Sequence, residues 1–176
     1  MASSYDKSIS WSVLTPPVQT VAWAPSGALR IVDQRRLPAE LVMRDLSTLD
    51  EVAEAIRTLA VRGAPAIGVA AAMGLAASAA AAPSRDSAAM RQFLEAGAAV
   101  LRGTRPTAVN LMWALDRMLA ALQHASGDAA ALVRAMRDEA ERIRLDDVAM
   151  CEALGRHGRT LLKDGMRVLT HCNAGA

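Results

Sequence analysis

Arg62-Gly63-Ala64-Pro65-Ala66-Ile67-Gly68 sets a cation and two small residues directly ahead of a helix whose first turn contains proline. Proline is pre-shaped for that position, and the free amides beside it can bind phosphate or carboxylate. Gly63 permits close backbone approach and Arg62 supplies charge. Arg105-Pro106-Thr107 repeats the arrangement at the next helix but one. Two arginines at two helix mouths suggest one anion pocket. The third chemical candidate is Cys172, since a thiol at a helix start or near arginines ionises near neutral pH and can act as nucleophile or base. Each feature also has a plain reading: solvated arginines, helix-starting prolines and a small buried thiol.

The remaining polar candidates read as structural. His171 points to the opposite side of an extended strand from Cys172, so adjacency alone does not pair them. Cys151, between Met150 and Leu154 in a helix, reads as core. His124 and His157 sit in polar helix-end surroundings and read as surface or helix-terminus groups. Trp113, with Leu111, Leu115 and Met118, reads as helix packing. The two cysteines lack metal-ligand spacing and imply neither a zinc site nor a disulfide framework.

The elements that must position these groups follow from local signals. Thr20 to Trp23 and Ala28 to Val32 read as two strands around the turn Pro25-Ser26-Gly27, with Leu41 to Arg44 as a third. Thr48-Leu49-Asp50-Glu51 fits a capping box opening a helix to about Leu59. Further helices are expected from Pro65 to about Ala82, Ser87 to Leu101, and Thr107 to about His124. Asp128 caps a fifth through Leu132, Met136, Ala140 and Ile143. Its apolar spacing slips at Leu145-Asp146-Asp147, which predicts a kink or fresh start before a segment to about Leu162. After the turn Lys163-Asp164-Gly165, Met166 to Thr170 reads as a short apolar strand delivering Cys172 into a small loop. With no sheet to join, that strand is expected to fray, pair with another chain or aggregate.

Composition bounds the function. The 176 residues are 52% hydrophobic and 22% charged, enough for one sizeable core. A net charge of +2 with scattered basic residues, and only 3% aromatics, gives no case for nucleic acid. Ala64 to Ala82 is free of charge, but its alanines, Pro65, Gly68 and Gly74 suit a buried core helix better than a membrane span. The N-terminal residues lack a signal-peptide pattern, so a reducing cytoplasm is expected.

At these residues the chain resembles the methylthioribose-1-phosphate isomerase family, within the larger group that includes the regulatory subunits of translation initiation factor 2B. The resemblance is carried by Val61 to Ala70, by Arg105 to Leu111 with Trp113-Ala114, by Leu154-Gly155-Arg156-His157-Gly158, and by Leu169 to Ala176. It spans nearly the whole chain after residue 20. Met73 and Met112 stand where the family pattern has aromatics, a change of packing rather than chemistry.

The resemblance implies an α/β family fold. Residues 1–163 would form a mostly helical N-terminal α+β domain with a small β element, and 164–176 the first strand of a truncated Rossmann-like domain. It implies that Arg62, Gly63 and Ala64 hold a sugar phosphate, that Arg105 is a second substrate contact, and that Cys172 is catalytic. The catalytic aspartate, a substrate-binding glutamine and an Asn-Lys pair of the family belong to the Rossmann-like domain and have no counterpart here. The implied reaction is aldose–ketose isomerisation without a redox cofactor. The implied partner is a small sugar phosphate, and the full-length family suggests a homodimer. Two alternatives stay open: an inactive or regulatory module, like the initiation-factor-2B subunits, that binds a sugar phosphate or nucleotide, and an isomerase of ribose 1,5-bisphosphate.

Overall fold

The computed structural model of the protein describes residues 18–82 and 86–171. They begin with an antiparallel meander, β1 (Val21–Trp23), β2 (Leu29–Val32) and β3 (Met43–Leu46), in the order β1-β2-β3. The Pro25-Ser26-Gly27 turn closes as expected, with the Gly27 amide donating to the Ala24 carbonyl at 2.8 Å. Val21 pairs with Ile31, Leu29 with Leu46 and Val32 with Met43. β3 lies two residues later than its β-propensity suggested. Register with β2 is what buries Leu46 beside Leu29, and a strand boundary follows that pairing rather than local preference.

Five α-helices follow among the described residues: α1 (Leu49–Arg57), α2 (Ala64–Ala81), α3 (Ser87–Arg102), α4 (Val109–His124) and α5 (Ala129–Gly158). The capping box of α1 is complete. Thr48 accepts from the Glu51 amide, and Glu51 accepts from the Thr48 and Ser47 amides. Those amides hold the Glu51 carboxyl below its ordinary value. Asp86 and Asp128 cap α3 and α5 through their side chains.

Helix α2 runs through the middle of the bundle, buried from Ile67 to Ala79, with the other four helices and the sheet around it. Among the described residues it is the one helix long and apolar enough to cross a membrane. Here its apolar circumference is covered by protein. Its small residues allow close approach: a Cβ on Gly74 would stand 2.5 Å from Val52 Cγ1 of α1. Met73 is fully buried and Met112 packs at the edge of the core, so both methionines do act in packing.

Two expectations are corrected. Helix α5 is continuous through Asp146 and Asp147, with no fresh start and no second cap there. At 30 residues it is about 45 Å long. The slip in apolar spacing marks where it leaves the core, because no side chain of α5 after Ile143 is buried. Leu145, Val148, Met150 and Leu154 are exposed along that stretch. The turn at Lys163-Asp164-Gly165 is present, with the Met166 amide donating to the Lys163 carbonyl at 3.1 Å. The expected strand from Met166 to Thr170 is absent: these residues are exposed and pair with no neighbour among the described residues. A strand needs a partner to satisfy its ladder, and an apolar run alone does not make one.

Candidate functional site

Gly63 is the N-cap of α2, with φ 102° and ψ 129°. Side chains larger than hydrogen rarely occupy that region, so glycine is required for the chain to turn into the helix here. No side chain caps this start, and no acidic residue occupies its first turn. Pro65 is the second helical residue, and its missing N–H falls where helices lack intrahelical partners anyway. The amides of Ala64 and Ala66 are left facing out from the positive end of the helix dipole.

Arg62 stands at this mouth, exposed, with its Nε donating to Gln34 Oε1 at 3.2 Å. The Gln34 amide in turn donates to the Arg62 carbonyl, also at 3.2 Å. Among the described residues no carboxylate pairs with Arg62, so the terminal guanidinium nitrogens remain uncommitted.

Helix α4 starts differently from expectation. It begins at Val109, with Ala108 as an N-cap that offers no side-chain bond. Arg105-Pro106-Thr107 forms a turn before it, closed by the Ala108 amide donating to the Arg105 carbonyl at 3.0 Å. Pro106 therefore shapes the approach rather than the first helical turn. Buried Thr104 fixes the turn from the other side, its hydroxyl donating to the Leu101 carbonyl at 2.6 Å. Arg105 is half-buried and forms no ion pair among the described residues.

The two mouths meet through backbone. A Cβ on Gly68, one turn into α2, would lie 2.6 Å from the carbonyl oxygen of Asn110, the second residue of α4. Only glycine lets the first turns of α2 and α4 touch this closely, five residues beyond the Gly63 cap on one chain segment and five beyond Arg105 on the other. Beside this contact a cavity of about 180 Å³ opens between α2, α4 and α5, lined by Pro65, Val69, Asn110, Trp113, Arg117 and Met150, among others.

This cavity was hidden in the sequence. Trp113 is not packed in the core with Leu111, Leu115 and Met118; it is 48% exposed, with the Arg117 guanidinium 5.2 Å from its ring centre. Arg117 is held by Asp146 and Glu139, each at 2.7 Å, and these bonds push its pKa further up. It is a paired cation, whereas Arg62 and Arg105 form no ion pair among the described residues. Asp147, on the cavity wall, has its carboxyl pushed up by burial. The i to i+4 spacing of Trp113 and Arg117 was the available signal for a cation–aromatic pair.

Cys172 and the loop after it lie outside the described residues. Cys151 is exposed, not core, because α5 has left the bundle by that point. Partial burial of its thiol and the Asp147 carboxylate one turn earlier push its pKa up, the opposite of an activated thiol. His124 and His157 are exposed in the last turns of α4 and α5, as expected. No group of three His, Cys, Asp or Glu side chains is arranged to hold a metal among the described residues.

A family model described as the initiation factor 2 subunit family matches residues 60–176. A methylthioribose-1-phosphate isomerase from Gemmatimonas aurantiaca is 52% identical over 160 residues, covering 90% of this chain and 46% of that protein. The solved structure of translation initiation factor eIF-2B subunit delta from A. fulgidus aligns with TM-score 0.81 at 36% identity, over 90% of this chain and 46% of its own. The 5-methylthioribose 1-phosphate isomerase of Pyrococcus horikoshii aligns with TM-score 0.79 at 36% identity, over 84% and 41%. The chain thus spans less than half the length of these relatives. By this match and by the fold it shares with them, the chain belongs to the initiation factor 2 subunit family.

Proposed function

We propose that this chain is the phosphate-holding half of an aldose–ketose isomerase that converts 5-methylthioribose 1-phosphate to 5-methylthioribulose 1-phosphate in methionine salvage. The observation that carries the reading is the pair of touching helices, each without a side-chain cap at its start and each preceded by an arginine that meets no carboxylate among the described residues. Such amides and guanidinium groups suit a phosphate ester. In this reading Arg62, Gly63 and Ala64 hold the sugar phosphate and Arg105 makes a second contact.

Because the anomeric oxygen carries phosphate, the ring cannot open as a free sugar does. An acid must protonate the ring oxygen as the ring breaks, and a proton or hydride then moves between the two carbons. Cys172 is the proposed base or its assistant. The acid belongs to the Rossmann-like domain that, in this reading, begins at residue 164. The proposed setting is cytoplasmic and the proposed assembly a homodimer.

The cavity beside the helix mouths bears on the 5-substituent. Pro65, Val69, Trp113 and Met150 line it with Asp146 and Asp147, and the one cation on its wall among the described residues, Arg117, is already paired with Glu139 and Asp146. A second phosphate needs a free cation, so an apolar 5-substituent is favoured over ribose 1,5-bisphosphate. A regulatory module is the second reading, favoured by the equal identity to the A. fulgidus subunit.

Turnover in the complete enzyme discriminates them. Cys172→Ser should abolish isomerisation and leave phosphate-ester binding largely intact, while Arg62→Ala should raise KM. Near-normal turnover in Cys172→Ser removes Cys172 from the mechanism. Binding without turnover in the wild type supports the regulatory reading.

A further inference from the structure

We propose that Gln34 is a positioning residue for Arg62, fixing both the backbone and the guanidinium of the loop at the mouth of α2. The inference rests on the reading of Arg62 as an anion contact. Gln34 grips Arg62 twice with one side-chain amide: its NH2 donates to the Arg62 carbonyl and its oxygen accepts from Arg62 Nε, both at 3.2 Å. The Gln34 backbone amide adds a third tie, donating to the Ala60 carbonyl at 2.8 Å. One residue thus brackets the segment from Ala60 to Arg62 immediately before the Gly63 N-cap.

The turn that presents Gln34 is itself fixed. Asp33, 4% exposed, receives both Nε and Nη2 of Arg35, at 2.8 and 2.6 Å. Arg35 continues to Glu54 and Thr58 at the end of α1, at 3.0 and 2.8 Å, and Arg44 of β3 reaches Glu54 at 3.3 Å. The Asp33 amide donates to the Val42 carbonyl at 2.8 Å. The sheet, the 33–35 turn and α1 form one braced unit, and Gln34 is the arm it extends to the helix mouth.

The chemical consequence concerns which Arg62 nitrogens meet an anion. With Nε engaged by Gln34, the side chain is held without its charge being cancelled, because the partner is a neutral amide. The two terminal nitrogens are then presented together, the fork that matches phosphate oxygens. A carboxylate in place of Gln34 would hold the arginine equally well but neutralise it. A long arginine left free must be ordered by the ligand instead, which weakens binding.

The test is a double-mutant cycle on ligand affinity. Wild type, Gln34→Met, Arg62→Ala and the double variant are titrated with 5-methylthioribose 1-phosphate, with thermal melting followed in parallel. Methionine keeps the length of the side chain and removes both hydrogen bonds; Gln34→Ala is the reserve should methionine disturb folding. Arg62→Ala should weaken binding about tenfold or more, and Gln34→Met about three- to tenfold with little change in melting. The double variant should bind within about twofold of Arg62→Ala, because Gln34 acts through Arg62. The Arg62 Nε–H resonance should also broaden or shift in Gln34→Met and stay put in an unrelated surface variant. Arg62→Ala binding like wild type would sink the anion-site reading and this inference with it. A weakened Arg62→Ala beside an unaffected Gln34→Met, or additive losses in the double variant, would overturn the positioning role alone.

Discussion

Alanine is a better helix former than glycine, yet Gly68→Ala should destabilise this protein. The new Cβ would stand 2.6 Å from the Asn110 carbonyl oxygen, 3.1 Å from its carbon and 3.4 Å from Ala114 Cβ. Ordinary contact needs roughly 3.5 Å, so α4 must retreat by close to 1 Å. The obstacle is backbone and cannot rotate away. Overpacking of this kind costs about 1–3 kcal/mol, against a gain of about 0.5–1 kcal/mol from helix propensity. The net expectation is a loss of roughly 1–2 kcal/mol, or about 2–8 °C in melting temperature for a chain of this size. Gly155→Ala is the matched control, since nothing lies within 4 Å of a Cβ there. With propensity alone acting, it should gain about 0.5–1 kcal/mol. Urea denaturation of both variants, with unchanged slope, should separate them by about 2 kcal/mol. If Gly68→Ala were as stable as Gly155→Ala, the claim that backbone contact sets the α2–α4 spacing would be refuted. Sugar-phosphate affinity should fall in Gly68→Ala and hold in Gly155→Ala.

Gly63→Ala forces a side chain into φ 102°, ψ 129° and should cost about 1–3 kcal/mol in the same denaturation assay. Thr48→Ala removes the hydroxyl that accepts from the Glu51 amide and should cost about 1 kcal/mol, with Thr48→Ser close to neutral. The Asp33 carboxyl is held down to about 2 by the Arg35 guanidinium, so its contribution is full above pH 4 and is lost as the pH falls towards 2. Allowing for the partial exposure of Arg35, the loss should be about 1–2 kcal/mol, and Asp33→Asn should flatten the acid limb of a stability–pH profile; an unchanged limb would rule Asp33 out. In a Cys172→Ser background, alkylation of Cys151 should be slow at neutral pH, rise steeply above pH 9, and speed up in Asp147→Asn, because burial and the Asp147 charge push the thiol up.

What the sequence disclosed and what it hid divide by the range of the interaction. Thr48 and Glu51 lie three residues apart, and Pro25-Ser26-Gly27 closes on itself, so both were legible from local chemistry. The proline and glycine at the mouth of α2 were legible for the same reason. β3 lies two residues beyond its local signal because its ends are set by Leu29 and Val32 across the ladder. The helical spacing of their apolar neighbours points to core for Cys151 and to helix packing for Trp113, whereas burial depends on where α5 and α4 pass the edge of the bundle. The Gln34–Arg62 bonds join residues 28 apart and follow no motif. The neighbours of Pro106 point to a helix start there, yet the turn closed by Ala108 sets the start of α4 two residues further on.

The alanine richness of α2 links the core to the site. Interaxial distance follows the size of the side chains at a contact, and large aliphatic residues hold helices at the wide end of about 8–10 Å. Alanine and glycine bring the axes in, and at Gly68 nothing but backbone separates α2 from α4. Two helix starts on widely spaced axes would present their amides and dipoles to different volumes of solvent. On touching axes, they act on the same volume, and their fields add over a ligand the size of a phosphate. The small residues that make α2 look like a weak hydrophobic core thus set the spacing of α2 and α4, the helices that the Arg62 and Arg105 loops lead into. A core substitution such as Ala71→Leu, far along α2 from either arginine, should therefore weaken phosphate-ester binding as well as stability, whereas Ala81→Leu at the exposed end of the helix should change neither.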